Sequence, residues 1–591
     1  MDPAFVERHW SALPHLGRLR DRGSFYRLAT TTPPQSPVAW STFITGLSAA
    51  QHGIYDFVQR DPDTMQPYSS ISRTEEPRWM LPIGPYNLPL SSSHVISLRR
   101  GTPFWKVLAD HGIPVTVIRM PTNYPPAGAG HELSGMGTPD LRGTLGTFTY
   151  YTDDPGEPSR SVPGGRIVNI DSGSGRYVLP IEGPPNALRR DHAYSSANLT
   201  VDVDADAPVA RLKIDGDVEV IREGEWSGWM AAKFVLLPYL SSVSGTFRVF
   251  AKQLHPGLQL YVSAINIDPL SPALPISSPA KWAGAIARDI GRFYTMGTPE
   301  DTSALRQGVF SLAEFESQTR LVFEEERALL RYSLKHYQDG LLFFYFSVID
   351  QNSHMLWGKH EAELLEVYKA VDECIGEVEQ ADPAAELIVM SDHGFTTFDR
   401  AVHLNAWLQH HGYLNLAEEP GDGTSLSSVK WSSTKAYALG LNGLYLNRSG
   451  REEHGVVSSG DQTRALIANL RQQLVAWRDP ANGRQVVEAV YPTNAAPNNA
   501  AVAPDLIVGY GPGYRASWQT GLGATPAEEI EDNNDAWIGD HCINPVDVPG
   551  VLFTNRPIRA RDPKLQDVTA SILRLFGVPP PSGVDGKEFI N

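Results

Sequence analysis

The runs LLFFYFSVID (341–350) and ELIVMSD (386–392) decide how this chain is read. Each is a short, continuous apolar stretch ending on an acidic residue, the pattern of strands buried on both faces of a parallel sheet. Between them EAELLEVYKAVDECIGEVEQ (361–380) spaces its apolar residues for one face of a helix. The three segments predict a βαβ unit with Asp350 and Asp392 at neighbouring strand ends. That is the edge of a wound sheet where ligands bind.

Outward from this unit the same alternation continues. DPAFVERHWSALPHLGRLRDRG (2–23) reads as a helix with Asp2 as N-cap and Pro3 at its first position. TPPQSPVAWSTFITGL (32–47) is extended and then helical, and GTPFWKVLADHGIPVTVIRMP (101–121) is a helix followed by a strand. Later come a hairpin-like segment (435–450), a helix over 462–478, a strand at 504–510 and a closing helix, DVTASILRLFG (567–577). Residues 418–430 and 520–535 read as polar loops. From about residue 145 the texture changes, and RIVNID, RYVLPIE, VARLKI, DVEVIRE, TFRVFAKQL and LQLYVSAINI alternate with the period of strands. The expected organisation is therefore an α/β core of residues 1–144 and 273–591, with a mostly parallel sheet flanked by helices. A β-rich insertion, 145–272, interrupts it.

At 591 residues the chain exceeds one ordinary core. Lys and Arg number 50 against 67 Asp and Glu, a net charge of -17, which argues against a chain that coats a nucleic-acid polymer or an anionic membrane. A phosphate-bearing small molecule stays open as substrate, because divalent cations reverse the local field inside an acidic protein. Two cysteines, Cys374 and Cys542, exclude a disulfide framework. No apolar run of about 18 residues occurs and the N-terminus has no signal pattern, so the chain as given reads as cytoplasmic. Its oligomeric state is not encoded in any pattern found.

Three groups carry chemistry. Asp350 and His354 are four apart and share a face if a helix starts at the strand end. Asp392-His393 ends the next strand, with Gly394 allowing a sharp turn. Asp540-His541 lies in a loop ahead of GVLFTN. Any one of them alone reads as a polar residue at a strand end; three together point to a metal centre. Mixed Asp and His donors suit zinc or manganese better than magnesium. Ser36, followed by Pro37, sits where a helix begins. Its plain reading is an N-cap. The same place offers free N–H groups and a positive dipole end to an alkoxide and a phosphate.

With Ser36, Thr45-Gly46 and His52-Gly53-Ile54 in this spacing, SPVAWSTFITGLSAAQHGIYDF resembles the nucleophile segment of the type I phosphodiesterase/nucleotide pyrophosphatase family. That family belongs to the alkaline phosphatase superfamily. Asp350 with His354 resembles its Asp-x-x-x-His pair, Ser391-Asp392-His393-Gly394 its second-metal motif, and His541 its late histidine. The resemblance spans roughly 1–140 and 300–591. It implies an alkaline-phosphatase-like fold, with one divalent cation on Asp350, His354 and His541 and a second on Asp392, His393 and Ser36. It also implies Ser36 as nucleophile, a phosphoseryl intermediate and a small phosphate-ester substrate, a diester before a monoester. The rivals are a phosphomonoesterase or phosphonate hydrolase on the same metals, and a non-catalytic member that binds a partner through the insertion.

The chain departs from the pattern in three places. The family's first strand, ending in a further Asp ligand, has no counterpart after Met1, and Asp2 falls about three residues too late to replace it. The resemblance thus implies a short apolar strand about ten or more residues upstream, and a gap in the sheet without it. Phe57 stands where the pyrophosphatases carry an Asn on the phosphoryl oxygen, and the sulfatase signature is missing. Of the other candidates, His360 and His403 read as packed or exposed histidines, Trp40 and Phe57 as core, and Arg142 as half of a loop salt bridge.

Overall fold

The computed structural model describes residues 1–173, 175–417 and 426–589. It separates into two compact units, one of residues 1–72, 98–113 and 349–591, the other of 73–97 and 114–348. Of the loop expected at 418–430, residues 418–425 lie outside the described residues, and Leu426–Ser428 is a 3-10 turn.

In the first unit Asp2 caps Pro3–Arg8 as expected, accepting the Phe5 N–H at 2.8 Å. The single helix expected over 2–23 is broken, because Pro14 cannot extend a helix from its N-terminal side. Trp10–Ala12 is a 3-10 turn, and a new helix opens at Pro14 and runs to Arg22. The strands Ser24–Leu28 and Ile388–Met390 flank the fully buried Gly550–Thr554, both antiparallel to it. This corrects the mostly parallel expectation for the site-bearing sheet, and connectivity supplies the reason. Ile388–Met390 ends where Asp392 begins and Ser24–Leu28 leads on towards Ser36. Gly550–Thr554, by contrast, starts just after the His541 loop. Strands with opposite ends at one site run antiparallel. The second core of this unit packs around a four-stranded sheet, Ala436–Ala438, Gly443–Leu446, Leu506–Tyr510 and Val487–Pro492. Residues 520–535 are not all loop: Ile530–Asp532 is a strand that supplies main-chain partners to Thr396–Val402.

The second unit holds parallel pairing, with Val115–Met120 between His131–Ser134 and Leu341–Phe344. The two strands of the expected βαβ unit therefore fall in different sheets, Leu341–Phe344 beside Val115–Met120 and Ile388–Met390 beside Gly550–Thr554. Among the described residues each is hydrogen-bonded on one side only and is half-buried, not enclosed on both faces as the apolar runs suggested. Between Phe148 and Ile267 the chain is strand after strand, in sheets of five, four and three. Val209–Ile214 alternates buried and exposed residues along its length, and the inward positions join one apolar core with Leu179, Val201 and Phe234.

A buried carboxyl pair in this unit makes its stability depend on pH. Ser347 Oγ lies 2.6 Å from Glu300 Oε1 and 2.8 Å from Glu326 Oε1. One hydroxyl proton cannot serve two ionised carboxylates, so one carboxyl must itself carry a proton. Glu326 also accepts the Ser347 N–H and faces Arg119, which leaves Glu300 as the protonated partner. Burial and the neighbouring Glu326 push Glu300 up to about 8. An unfolded glutamate loses its proton near pH ~4.3, so between there and about 8 folding takes up a proton, and stability falls as pH rises through that window. Glu300→Gln should flatten this decline and, at pH ~8.5, stabilise the fold by ~1 kcal/mol or more, raising the thermal midpoint there. Unchanged melting curves for the variant between pH 5 and 9 would contradict it.

Candidate metal centre

Pro33 and Pro34 keep the chain extended up to Gln35, which is the true N-cap of the helix Ser36–Thr45. Ser36 is the first residue inside it, so the N-cap reading of Ser36 is corrected. Every residue of this helix is buried, as its small and apolar sequence on all faces requires. The Ser36 hydroxyl, freed from capping, lies 2.9 Å from His393 Nε2. His52 of the His-Gly-Ile motif is structural: Nε2 pairs with Thr42 Oγ1 at 3.0 Å and Nδ1 accepts the Ile54 N–H. Burial drives it down to about 3, so it is a neutral brace between helix and turn.

Asp350 and His354 share one face of the helix Val348–Leu356, with Asp350 Oδ2 3.7 Å from His354 Nε2. Asp392 and His393 follow the strand Ile388–Met390, and Gly394 is needed after them: a Cβ there would lie 2.5 Å from the Pro549 carbonyl. His541 completes the group. Its ring stacks on His393 at 3.5 Å and lies 5.2 Å from that of His354. His393 Nε2 is 3.2 Å from Asp392 Oδ2 and 3.9 Å from Asp350 Oδ1. The structure thus brings Ser36, Asp350, His354, Asp392, His393 and His541 together.

The protonation pattern is uniform. His354 Nδ1 bonds the Gly539 carbonyl at 2.8 Å, His541 Nδ1 that of Pro34 at 2.7 Å, and His393 Nδ1 that of Gly394 at 3.1 Å. A carbonyl only accepts, so each Nδ1 carries the proton. Burial holds all three imidazoles below their ordinary range, His393 at about 3, so each Nε2 presents a lone pair inward. Burial also raises Asp392, and it lifts Asp350 to about 6. Lone pairs and carboxylate oxygens therefore face one another, and Asp350 Oδ1 and Asp392 Oδ2 are buried with no hydrogen-bond partner. Acceptors outnumber donors here, the donors being the Ser36 hydroxyl and the buried Met1 amino group, whose charge acts on Asp392 and Asp350. Such an excess fits divalent cations, which need neutral imidazoles and carboxylates held by a further shell of hydrogen bonds.

Asp540, His541 and Cys542 also lie close together. Asp540 is already committed, with Oδ1 accepting the His541 and Cys542 N–H groups and Oδ2 accepting from Trp537 Nε1 at 2.8 Å and forming an ion pair with the Arg515 guanidinium, also at 2.8 Å. Burial keeps the Cys542 thiol protonated, so this trio is a scaffold. The Trp537 ring stacks on His354 at 3.8 Å. Sequence reasoning missed Arg515 and Trp537, which carry no motif.

The remaining candidates take bland roles. Asp2 spends its carboxylate on Phe5 and Phe395 N–H groups, and His403 pairs with Ser517 and Glu531. His360 is the N-cap position of the helix Glu361–Ala381, Trp40 packs edge-on to Phe43, and Phe57 is half-buried. Arg142 pairs with Glu182 at 2.6 Å.

This cluster sits on a mixed α/β fold, and it is the sequence that places the chain among phosphoester hydrolases. Residues 1–195 and 276–531 match the type I phosphodiesterase/nucleotide pyrophosphatase family, and the chain belongs to it. The match stops before His541, whose assignment rests on geometry. Among solved structures the chain is similar to phosphonoacetate hydrolase from Sinorhizobium meliloti 1021 in complex with phosphonoformate, at 12% identity and a TM-score of 0.44, over 96% of this chain and 92% of that one. It is also similar to murine ectonucleotide pyrophosphatase/phosphodiesterase 5, at 11% identity and a TM-score of 0.38, over 97% and 93%. No curated protein matches it in sequence. Among the described residues no helix is long and apolar enough to cross a membrane.

Proposed function

We propose that this protein hydrolyses small phosphate esters, diesters in preference to monoesters, with Ser36 as nucleophile. Asp350, His354 and His541 would hold one divalent cation and Asp392, His393 and Ser36 a second. Zinc is the first choice for this donor set and manganese the alternative. Bound there, the pair supplies Lewis acidity to the serine oxygen and to the phosphoryl group. The chain's own part is to aim Ser36 Oγ from the start of a buried helix, whose N-terminal dipole favours an anion. Ser36 Oγ bonds to phosphorus while the opposite ester oxygen leaves with its electron pair. Water then cleaves the phosphoserine, returning the hydroxyl and releasing the phosphoryl product. In this reading 145–272 is a β-rich insertion into a catalytic core formed by 1–144 and 273–591.

The observation that carries the reading is the set of converging acceptors: three inward lone pairs with two orphaned carboxylate oxygens. Metal analysis of the purified chain, with assays on an aryl phosphodiester, an aryl phosphomonoester and a phosphonate, tests it. The expected result is about two cations per chain and chelator-sensitive turnover, greatest on the diester. Turnover that survives complete metal removal, or a metal-loaded protein inert on all three substrates, would reject it.

A further inference from the structure

Behind Ser36 lies a buried polar bridge that neither the motifs nor the proposed ligand set includes. Gln35 is the N-cap residue, yet its side chain does not cap the helix. Its amide instead donates to Asp56 Oδ2 at 2.7 Å and to Asn442 Oδ1 at 2.8 Å. Asn442 in turn donates to the carbonyls of Val508 at 2.9 Å and Cys542 at 3.1 Å. Asp56 also accepts the N–H groups of Phe57 and Leu441. Gln35, Asn442 and Asp56 are 0%, 1% and 3% exposed.

The bridge closes a ring. Gln35 precedes Ser36 and Cys542 follows His541, so Gln35–Asn442–Cys542 ties the two segments on one side. On the other, His541 Nδ1 donates to the Pro34 carbonyl at 2.7 Å. Residues 34–36 and 541–542 are thus joined twice, once through a side chain of the site and once through side chains outside it. Both amide orientations are determined by their partners, since Val508 and Cys542 offer only carbonyls and Asp56 only a carboxylate. The amide N–H groups of Gln35 and Asn442 are paired, while Gln35 Oε1 is buried without a partner, and directional bonds of this kind in a buried network favour one arrangement of the segments they join.

The geometry points to Gln35 and Asn442, braced by Asp56, as positioning residues that set the Ser36 hydroxyl against His541. This rests on the proposed phosphoester hydrolysis. Neither residue reaches the acceptor cluster, so their loss should disturb aim and leave cation binding intact. Displacing a reacting group by ~1 Å costs up to ~100-fold in rate.

The test compares wild type, Gln35→Met, Asn442→Ala and the double variant on an aryl phosphodiester, with metal stoichiometry and thermal midpoint measured on each. The expected result is a fall in kcat of about 10- to 100-fold in Gln35→Met, with KM within about twofold and wild-type metal content. The double variant should be no slower than the slower single one, because both cut the same bridge. Asn442→Ser carries the test if Asn442→Ala does not fold. Wild-type kcat in folded Gln35→Met, additive losses, or metal content that falls in step with kcat would each overturn the positioning role while leaving the proposed function standing. An inactive, metal-loaded wild type removes both.

Discussion

Replacing Ser36 with alanine should leave a folded, metal-binding protein whose turnover is lower by about a thousandfold or more, some 4 kcal/mol of barrier. The fold should survive because Ser36 does not cap its helix and its hydroxyl bonds only into the candidate site, to His393 and Asp392. The helix is held by its apolar residues: Val38, Phe43 and Ile44 are each at most 1% exposed, worth ~1.5–3 kcal/mol apiece. Metal should largely persist, since five of the six proposed donors remain. Among the neighbouring hydroxyls Ser41 Oγ is buried with no hydrogen-bond partner and is the uncommitted candidate. Thr42 Oγ1 is engaged by His52 and the Thr45 hydroxyl by the Ser41 carbonyl. Steady-state assays with metal analysis decide the matter, and activity retained in Ser36→Ala would move the nucleophile elsewhere.

How much of this was legible in the sequence differs between local and non-local features. Asp2 as cap, the Ser36 helix and the four-residue spacing of Asp350 and His354 are set by neighbours along the chain, and all appear as read. The pairing of strands is not local. An apolar run suggests burial on both faces, which neither strand here reaches, and it does not say which strand lies beside it. Ile388–Met390 therefore paired antiparallel with Gly550–Thr554, although the sequence suggested a parallel partner in Leu341–Phe344. Pro14 marks the interruption locally. The candidate Asp and His residues, which the structure brings together, are legible because they recur at strand ends in a recognisable order. Their supporting groups are not, because Gln35 meets Asn442 across 407 residues, Trp537 stacks on His354 from a distant part of the chain, and Arg515 pairs with Asp540 from another strand. Nothing periodic or adjacent marks such contacts.

The proposed metal ligands yield the sharpest separation between a binding site and a packed polar cluster. His354→Ala and His541→Ala should each lose about one cation per chain and about 1,000-fold or more in turnover, while Asp392→Ala should lose the other cation. The ground for expecting selective loss is the division of contacts. Asp350, His354 and His541 bring ligand atoms within 4.8 Å of one another, whereas Asp392 and His393 adjoin Ser36, with the His541 ring stacked on His393 where the two proposed sites meet. The alternative, a neutral hydrogen-bonded cluster, predicts a different sign for stability. Without cations, Asp350 Oδ1 and Asp392 Oδ2 are buried acceptors with no donor, each costing ~1–3 kcal/mol. If nothing binds there, Asp350→Asn adds donors and should raise the thermal midpoint. If cations bind, chelation should lower the wild-type midpoint, since a ligand specific to the folded state stabilises it by mass action. The same chelation should barely move that of Asp350→Asn, whose first site is already weakened. Differential scanning calorimetry of both proteins, with and without chelator, distinguishes the two. A wild-type midpoint indifferent to chelation, together with a stabilised Asp350→Asn, would show that these six residues form a polar cluster and hold no metal.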